Sequence, residues 1–111
     1  MRKKLPDILI FVKTFLMDTE DQKEFYSKLK ERLAETSTWP ANYLYKFIVP
    51  TEGTGIKEIE GVFDDTGAVI ITKKSKNGKY TSISVTVEME NPDAVIEKYK
   101  AVSNVKGVIS L

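Results

Sequence analysis

Few side chains in this 111-residue chain have chemistry to offer. Histidine, the usual general base near neutral pH and the commonest metal ligand, is absent, and so is cysteine. Their absence removes thiolate nucleophiles, sulfur-ligated metals and disulfides together. Catalysis would fall to carboxylates, lysine, tyrosine, serine or a bound cofactor. Asp64 and Asp65 are adjacent carboxylates that could share a proton or hold a cation. Lying just before Gly67, they read better as the residues of a turn. Glu88 and Glu90 flank a strand end and face no nucleophile in the pattern. No catalytic residue, metal ligand or cofactor is assigned, and the chain is expected not to be an enzyme.

Two groups of residues could bind rather than react. The first is the loop Thr51-Glu52-Gly53-Thr54-Gly55, where a strand runs into a helix. Its glycines let backbone N–H groups face a ligand, and a helix N-terminus attracts anions. Thr51, Gly53, Thr54 and Gly55 are therefore candidate ligand-binding residues. The plainer reading is a turn with Thr54 as helix cap, and Glu52 would oppose an anionic ligand. The second group is one face of the predicted sheet, carrying Leu44, Lys46, Ile48, Tyr80, Ser82 and Ser84. That mixture suits contact with another subunit or with a helix. It suits RNA poorly, because base-stacking sheets use aromatic residues where Ser82, Ser84 and Thr86 stand here. Lys46, Lys73, Lys74, Lys76 and Lys79 could touch phosphates, but a solvated hairpin tip explains most of them.

The whole-chain balance gives neither group a strong field. Lysine and arginine number 17 against 16 acidic residues, a net charge of +1, so nothing steers the protein toward nucleic acid or anionic lipid. The length suits one domain with one core. Hydrophobic content of 41% and charged content of 30% describe an ordinary globular chain. The lack of cysteine fits a reducing, cytoplasmic setting.

The elements that must position these residues follow from periodicity. Residues 1–17 form an N-terminal extension with a basic start and an apolar run, Ile8 to Val12, too short to span a bilayer. Asp7 and Lys13 interrupt it and no small-residue cleavage pattern follows, so it is read as an added helix or strand, or as lying ahead of an internal start at Met17. Residues 18–38 form an amphipathic helix and linker. Thr19 and Gln22 make a capping box, Phe25, Tyr26, Leu29 and Leu33 make one apolar stripe, and Thr36-Ser37-Thr38 ends it.

Residues 39–111 form the compact domain. Asn42 to Val49 reads as a strand with Tyr43, Tyr45, Phe47 and Val49 on one face. Ile56, Ile59, Val62 and Phe63 recur at helical spacing until Asp64-Asp65-Thr66-Gly67 stops them. Ala68 to Lys74 is a second strand. Asn77-Gly78 predicts a two-residue type I′ hairpin into a third strand, Tyr80 to Glu88, with Ile83, Val85 and Val87 inward. Asn91-Pro92-Asp93 starts a second helix with Val95, Tyr99 and Val102 buried, and Val105 to Leu111 is a last strand. The order β-α-β-β-α-β, with right-handed crossovers, predicts an α+β ferredoxin-like sandwich with an additional N-terminal helix.

From Trp39 onward the chain resembles the YbeD-like family of small, uncharacterised bacterial proteins. The resemblance rests on Pro40 ahead of Tyr45-Lys46, then Ser75 and Gly78-Lys79-Tyr80 leading into Ser82-Ile83-Ser84-Val85-Thr86, with Tyr99 and terminal Leu111. It implies the same ferredoxin-like fold, similar to ACT domains that sense small molecules, and, from some members, a regulatory role connected with lipoate metabolism. The extension through Thr38 departs from the compact members. The functional expectation is a regulatory or protein-interaction module acting on a protein partner or on a second copy. The alternative is an ACT-like sensor of a small-molecule effector at Thr51 to Gly55, and RNA binding is a weaker one.

Overall fold

The structure, a computed structural model, describes residues 19–110. The expectations for residues 1–17 lie outside the described residues, as do the side chains of the Thr19–Gln22 capping box and Leu111. The chain forms helix α1 (Thr19–Thr36), strand β1 (Ala41–Pro50), helix α2 (Gly55–Val62), strands β2 (Val69–Lys74) and β3 (Tyr80–Met89), helix α3 (Pro92–Val102) and strand β4 (Ile109–Ser110). The four strands make one antiparallel sheet in the order β2-β3-β1-β4. After the N-terminal helix, the predicted β-α-β-β-α-β order is the one observed.

Register follows from alternation. Tyr45 lies opposite Val85 and Phe47 opposite Ile83, so the buried side chains of the two central strands share one face. Sliding β3 by one residue would replace Ile83, Val85 and Val87 in the core with Ser82, Ser84 and Thr86. The three helices cover that face. Ile59 and Phe63 come from α2 and its end, Val95, Ile96, Tyr99 and Val102 from α3, and Tyr26, Leu29 and Leu33 from α1. The apolar stripe of α1 thus packs on its own domain, and Lys30 of α1 pairs with Asp93 of α3 at 2.9 Å. That ion pair is exposed and adds little, so apolar burial holds the helix. The Trp39 indole N–H donates to the Leu33 carbonyl at 3.1 Å and satisfies one carbonyl near the end of α1.

Local signals set the ends of the elements. Asn91 caps α3 by accepting from the Ala94 N–H at 2.8 Å, with Pro92 in the first turn. Helix α2 ends at Val62, where the Phe63 N–H bonds back to the Glu60 carbonyl, and in the turn that follows Asp65 and Gly67 take left-handed φ of 61° and 76°.

The β2–β3 connection differs from expectation. Gly78 has φ of 77° but Asn77 does not have positive φ, so the turn is not type I′. The Ser75 N–H donates to the Tyr80 carbonyl at 2.7 Å, leaving a loop from Lys76 to Lys79. The cause is local side-chain bonding. Asn77 Oδ1 accepts from Ser75 Oγ and from the Lys79 N–H, both at 3.0 Å, and Ser75 Oγ accepts from the Tyr80 N–H at 3.1 Å. The register is the one a two-residue turn at Asn77-Gly78 would have produced, because Lys74 still faces Thr81.

The last strand is also shorter than predicted. Residues Val105 to Val108 form turns, with Gly107 at φ 78°, and the β-pairing in the described residues is confined to Ile109 and Ser110. Val105 is buried all the same, as a plug rather than a strand residue.

Candidate functional site

Among the described residues no helix lies on one face of the sheet, and the register assigns that face row by row. Val69, Thr86 and Leu44 make one row, Ile71, Ser84 and Lys46 the next, and Lys73, Ser82, Ile48 and Ile109 a third. Tyr80 lies beyond them, opposite Pro50. The predicted surface residues Leu44, Lys46, Ile48, Tyr80, Ser82 and Ser84 therefore do come together on this face. Sequence reasoning missed Val69, Ile71 and Ile109. Because Ile70 alternates with Val69 and Ile71, both faces of β2 read as apolar, and only its pairing with β3 says which side chains are left outside.

The consequence is a concentration of exposed apolar surface. Leu44, Val69, Ile71, Tyr80 and Ile109 are the exposed large hydrophobic residues among those described, and all five lie on this one face. Val69 and Ile71 are 60% and 64% exposed. Exposed apolar residues scattered singly are ordinary, whereas these five share one face. Between them run Ser82, Ser84 and Thr86, small enough to let another surface approach. Near the hairpin an open groove of about 470 Å³ is lined by Ile48, Tyr80 and Ser82 together with Lys73, Lys74 and Lys76.

The loop Thr51 to Gly55 is built mostly for structure. The Thr51 N–H donates to the Lys79 carbonyl at 2.8 Å, and the Thr51 and Thr81 hydroxyls meet at 2.9 Å. Thr54 stands at the N-cap of α2 without a side-chain capping bond. Its hydroxyl donates to a Glu58 carboxylate oxygen at 2.5 Å, and this carboxylate belongs to the first turn of the helix. Gly55 is buried, and a Cβ there would sit 3.3 Å from the Val49 Cβ, so this glycine serves close helix–strand packing. Gly53, at φ 97°, has open space around it. The four candidate residues are neighbours, yet Glu58 already brings negative charge to the helix start.

Asp64 and Asp65 are exposed and belong to the turn that ends α2, where Thr66 Oγ1 donates to the Phe63 carbonyl at 2.5 Å and accepts from the Ala68 N–H at 3.3 Å. Among the described residues no group of three or more acidic, histidine or cysteine side chains gathers as a metal site. The titratable groups with perturbed values are tyrosines of the core. Burial raises Tyr43, Tyr45 and Tyr99 above the ordinary tyrosine value, and the neighbouring Tyr43 raises Tyr45 and Tyr99 further. These phenols stay protonated and serve as hydrogen-bond partners: Tyr45 donates to the Val95 carbonyl at 3.1 Å. No described helix is long and apolar enough to cross a membrane.

Fold and surface together define a class: an α+β ferredoxin-like sandwich whose helix-free face is apolar and lysine-flanked. The chain belongs to the protein family of unknown function DUF493, the YbeD family, whose profile matches residues 34–111. No curated protein matches the chain. Among solved structures it is similar to the ACT domain from GTP pyrophosphokinase of Chlorobium tepidum, at 16% identity and a TM-score of 0.48, covering 64% of this chain and 100% of that one.

Proposed function

We propose that this protein is a non-catalytic regulatory or protein-interaction module that binds a protein partner on the helix-free face of its sheet. The observation that supports this is the placement of five exposed large hydrophobic residues on that one face. Burying such a face against a partner is favourable by about 25 cal/mol per Å² of apolar area. Lys46 and Lys73 lie in the same rows, so an apolar partner surface with acidic residues at its rim fits best. A setting in the cytoplasm, and a connection with lipoate metabolism implied by the family resemblance, belong to the same proposal.

The test uses Leu44→Lys with Ser84→Arg, two exposed or half-exposed positions whose change leaves the core untouched. A protein retained from native-cell lysate by the natural chain and lost with this variant supports the face. A partner retained equally by both, or no partner and no self-association, removes the support. The sensor reading at Thr51 to Gly55 would instead show as a higher melting temperature with an amino acid or a lipoate-related compound.

A further inference from the structure

The free edge of β2 carries a second surface, separate from the open face. β2 ends the sheet and has β3 as its one neighbour among the described residues. The Ser75 N–H bonds back to the Tyr80 carbonyl, and antiparallel pairing alternates the direction of the backbone groups. Val69, Ile71 and Lys73 therefore turn their N–H and C=O groups to β3. Ile70, Thr72 and Lys74 turn theirs to the open side. Six consecutive residues, Val69 to Lys74, pair with β3 without a bulge, and none of them is proline. Such an edge is a template for another strand unless something blunts it.

Lysine at an edge usually does the blunting, but here the charges are divided by position. Asp64 and Asp65 precede the strand, while Lys73, Lys74 and Lys76 close it, with the uncharged run Thr66 to Thr72 between them. A parallel neighbour of the same sequence would set like charges side by side. An antiparallel copy sets acid beside base at both ends. The edge is thus complementary to itself under a two-fold axis, the arrangement that closes a dimer.

We infer that two copies of this chain pair antiparallel through their β2 edges, about a two-fold axis at Ile70, and so join their sheets into one. The outward backbone groups select this kind of register, because Ile70 then exchanges bonds with its own copy and Thr72 lies opposite Ala68. Side chains agree with it. Val69 falls opposite Ile71 of the second copy, apolar on apolar, and the lysine end of each strand, Lys73 and Lys74, comes beside the turn of the other copy that carries Asp64 and Asp65. Cross-strand apolar and opposite-charge pairs are the contacts that stabilise a sheet. The pairing goes beyond the proposed function and leaves Leu44, Ile48 and Tyr80 open for another partner.

Sedimentation of the full chain tests this. The natural chain is expected at the mass of two copies, and Thr72→Pro, which removes an outward N–H with no neighbour strand among the described residues, is expected at half that mass with an unchanged far-ultraviolet circular dichroism spectrum. Should Thr72→Pro fail to fold, charge reversal decides. Lys73→Glu with Lys74→Glu and Lys76→Glu makes both ends acidic, and Asp64→Lys with Asp65→Asn leaves no acid at either end. Each variant is expected as a monomer alone, and their equimolar mixture as a dimer. A monomeric natural chain overturns the pairing, as does a dimer that both charge variants retain. Because the chain has no cysteine, Val69→Cys mixed with Ile71→Cys reports the register by an intermolecular disulfide. A dimer that forms this cross-link no faster than Leu44→Cys cross-links to itself overturns the edge as its site.

Discussion

The hydroxyls of Tyr43 and Tyr99 meet at 2.7 Å across 56 residues of sequence, tying the start of β1 to the middle of α3. Around them Tyr43 and Tyr45 contact edge to face with centroids 4.7 Å apart, and Tyr45 and Tyr99 at 4.9 Å. The buried side of β1 is thus an aromatic layer whose polar tips are satisfied inside it, which is why three tyrosines can sit where phenylalanine would be expected.

This layer makes stability depend on alkaline pH. Burial raises Tyr43, Tyr45 and Tyr99 above the unfolded value near 10.0, so the folded state holds their protons more tightly. Their contribution is whole below about pH 10 and is lost as pH rises from there toward the folded values. Denaturant melts from pH 7 to 11 are expected to be flat to about pH 9 and then to fall. Tyr43→Phe is expected to cost about 1 kcal/mol at neutral pH and to flatten the alkaline fall. An alkaline fall as steep in Tyr43→Phe as in the natural chain would sink this assignment.

Gly55 packs where α2 crosses β1. A Cβ there would meet the Val49 Cβ at 3.3 Å and Val105 Cγ1 at 3.6 Å, and Val49 is fully buried. Gly55→Val should therefore lower the unfolding free energy by about 1–3 kcal/mol through overpacking. Gly61→Ala is the control, since its Cβ would meet nothing within 4 Å. It should be neutral or stabilising by up to about 1 kcal/mol in this helix position. Chemical denaturation of the two variants reads the contrast directly.

Lys98 joins α3 to the end of α2. Its ammonium donates to the Val62 carbonyl at 2.6 Å and lies 5.5 Å from the centre of the Phe63 ring. The cation thus serves a helix C-terminus, where orphan carbonyls and the dipole both favour it. Lys98→Met keeps the length of the stem and removes the charge. A loss of about 1–2 kcal/mol is expected, read by thermal or urea melts, against little change for Lys57→Met on the exposed side of α2.

How much was legible differs from element to element. Strand β3 was readable because Ser82, Ser84 and Thr86 alternate with Ile83, Val85 and Val87, leaving one face for the core. Helix α3 announced itself through Asn91 and Pro92, whose cap chemistry needs no tertiary partner. The hairpin was misread in detail because Ser75 and Asn77 bond each other and the loop backbone, a competition that the Asn-Gly pair by itself does not reveal. The end of the chain was read as a seven-residue strand because Val105, Val108 and Ile109 are apolar, whereas Val105 fills the core from a turn.

Local pattern was enough for the order of elements, the inward side of β3 and the start of α3, since those depend on alternation and capping within a few residues. Composition ruled out histidine and cysteine chemistry outright. Which apolar residues stay outside depends instead on strand pairing. Val69 and Ile71 became surface because β2 pairs with β3 in a register that puts them beside Ser84 and Thr86, and because the helices cover the opposite face. Burial is a property of what lies across the sheet, and that neighbour is set by pairing between segments far apart in the chain. The same pairing turned a lysine-ended strand into an exposed edge, which local patterning alone could not distinguish from a covered one.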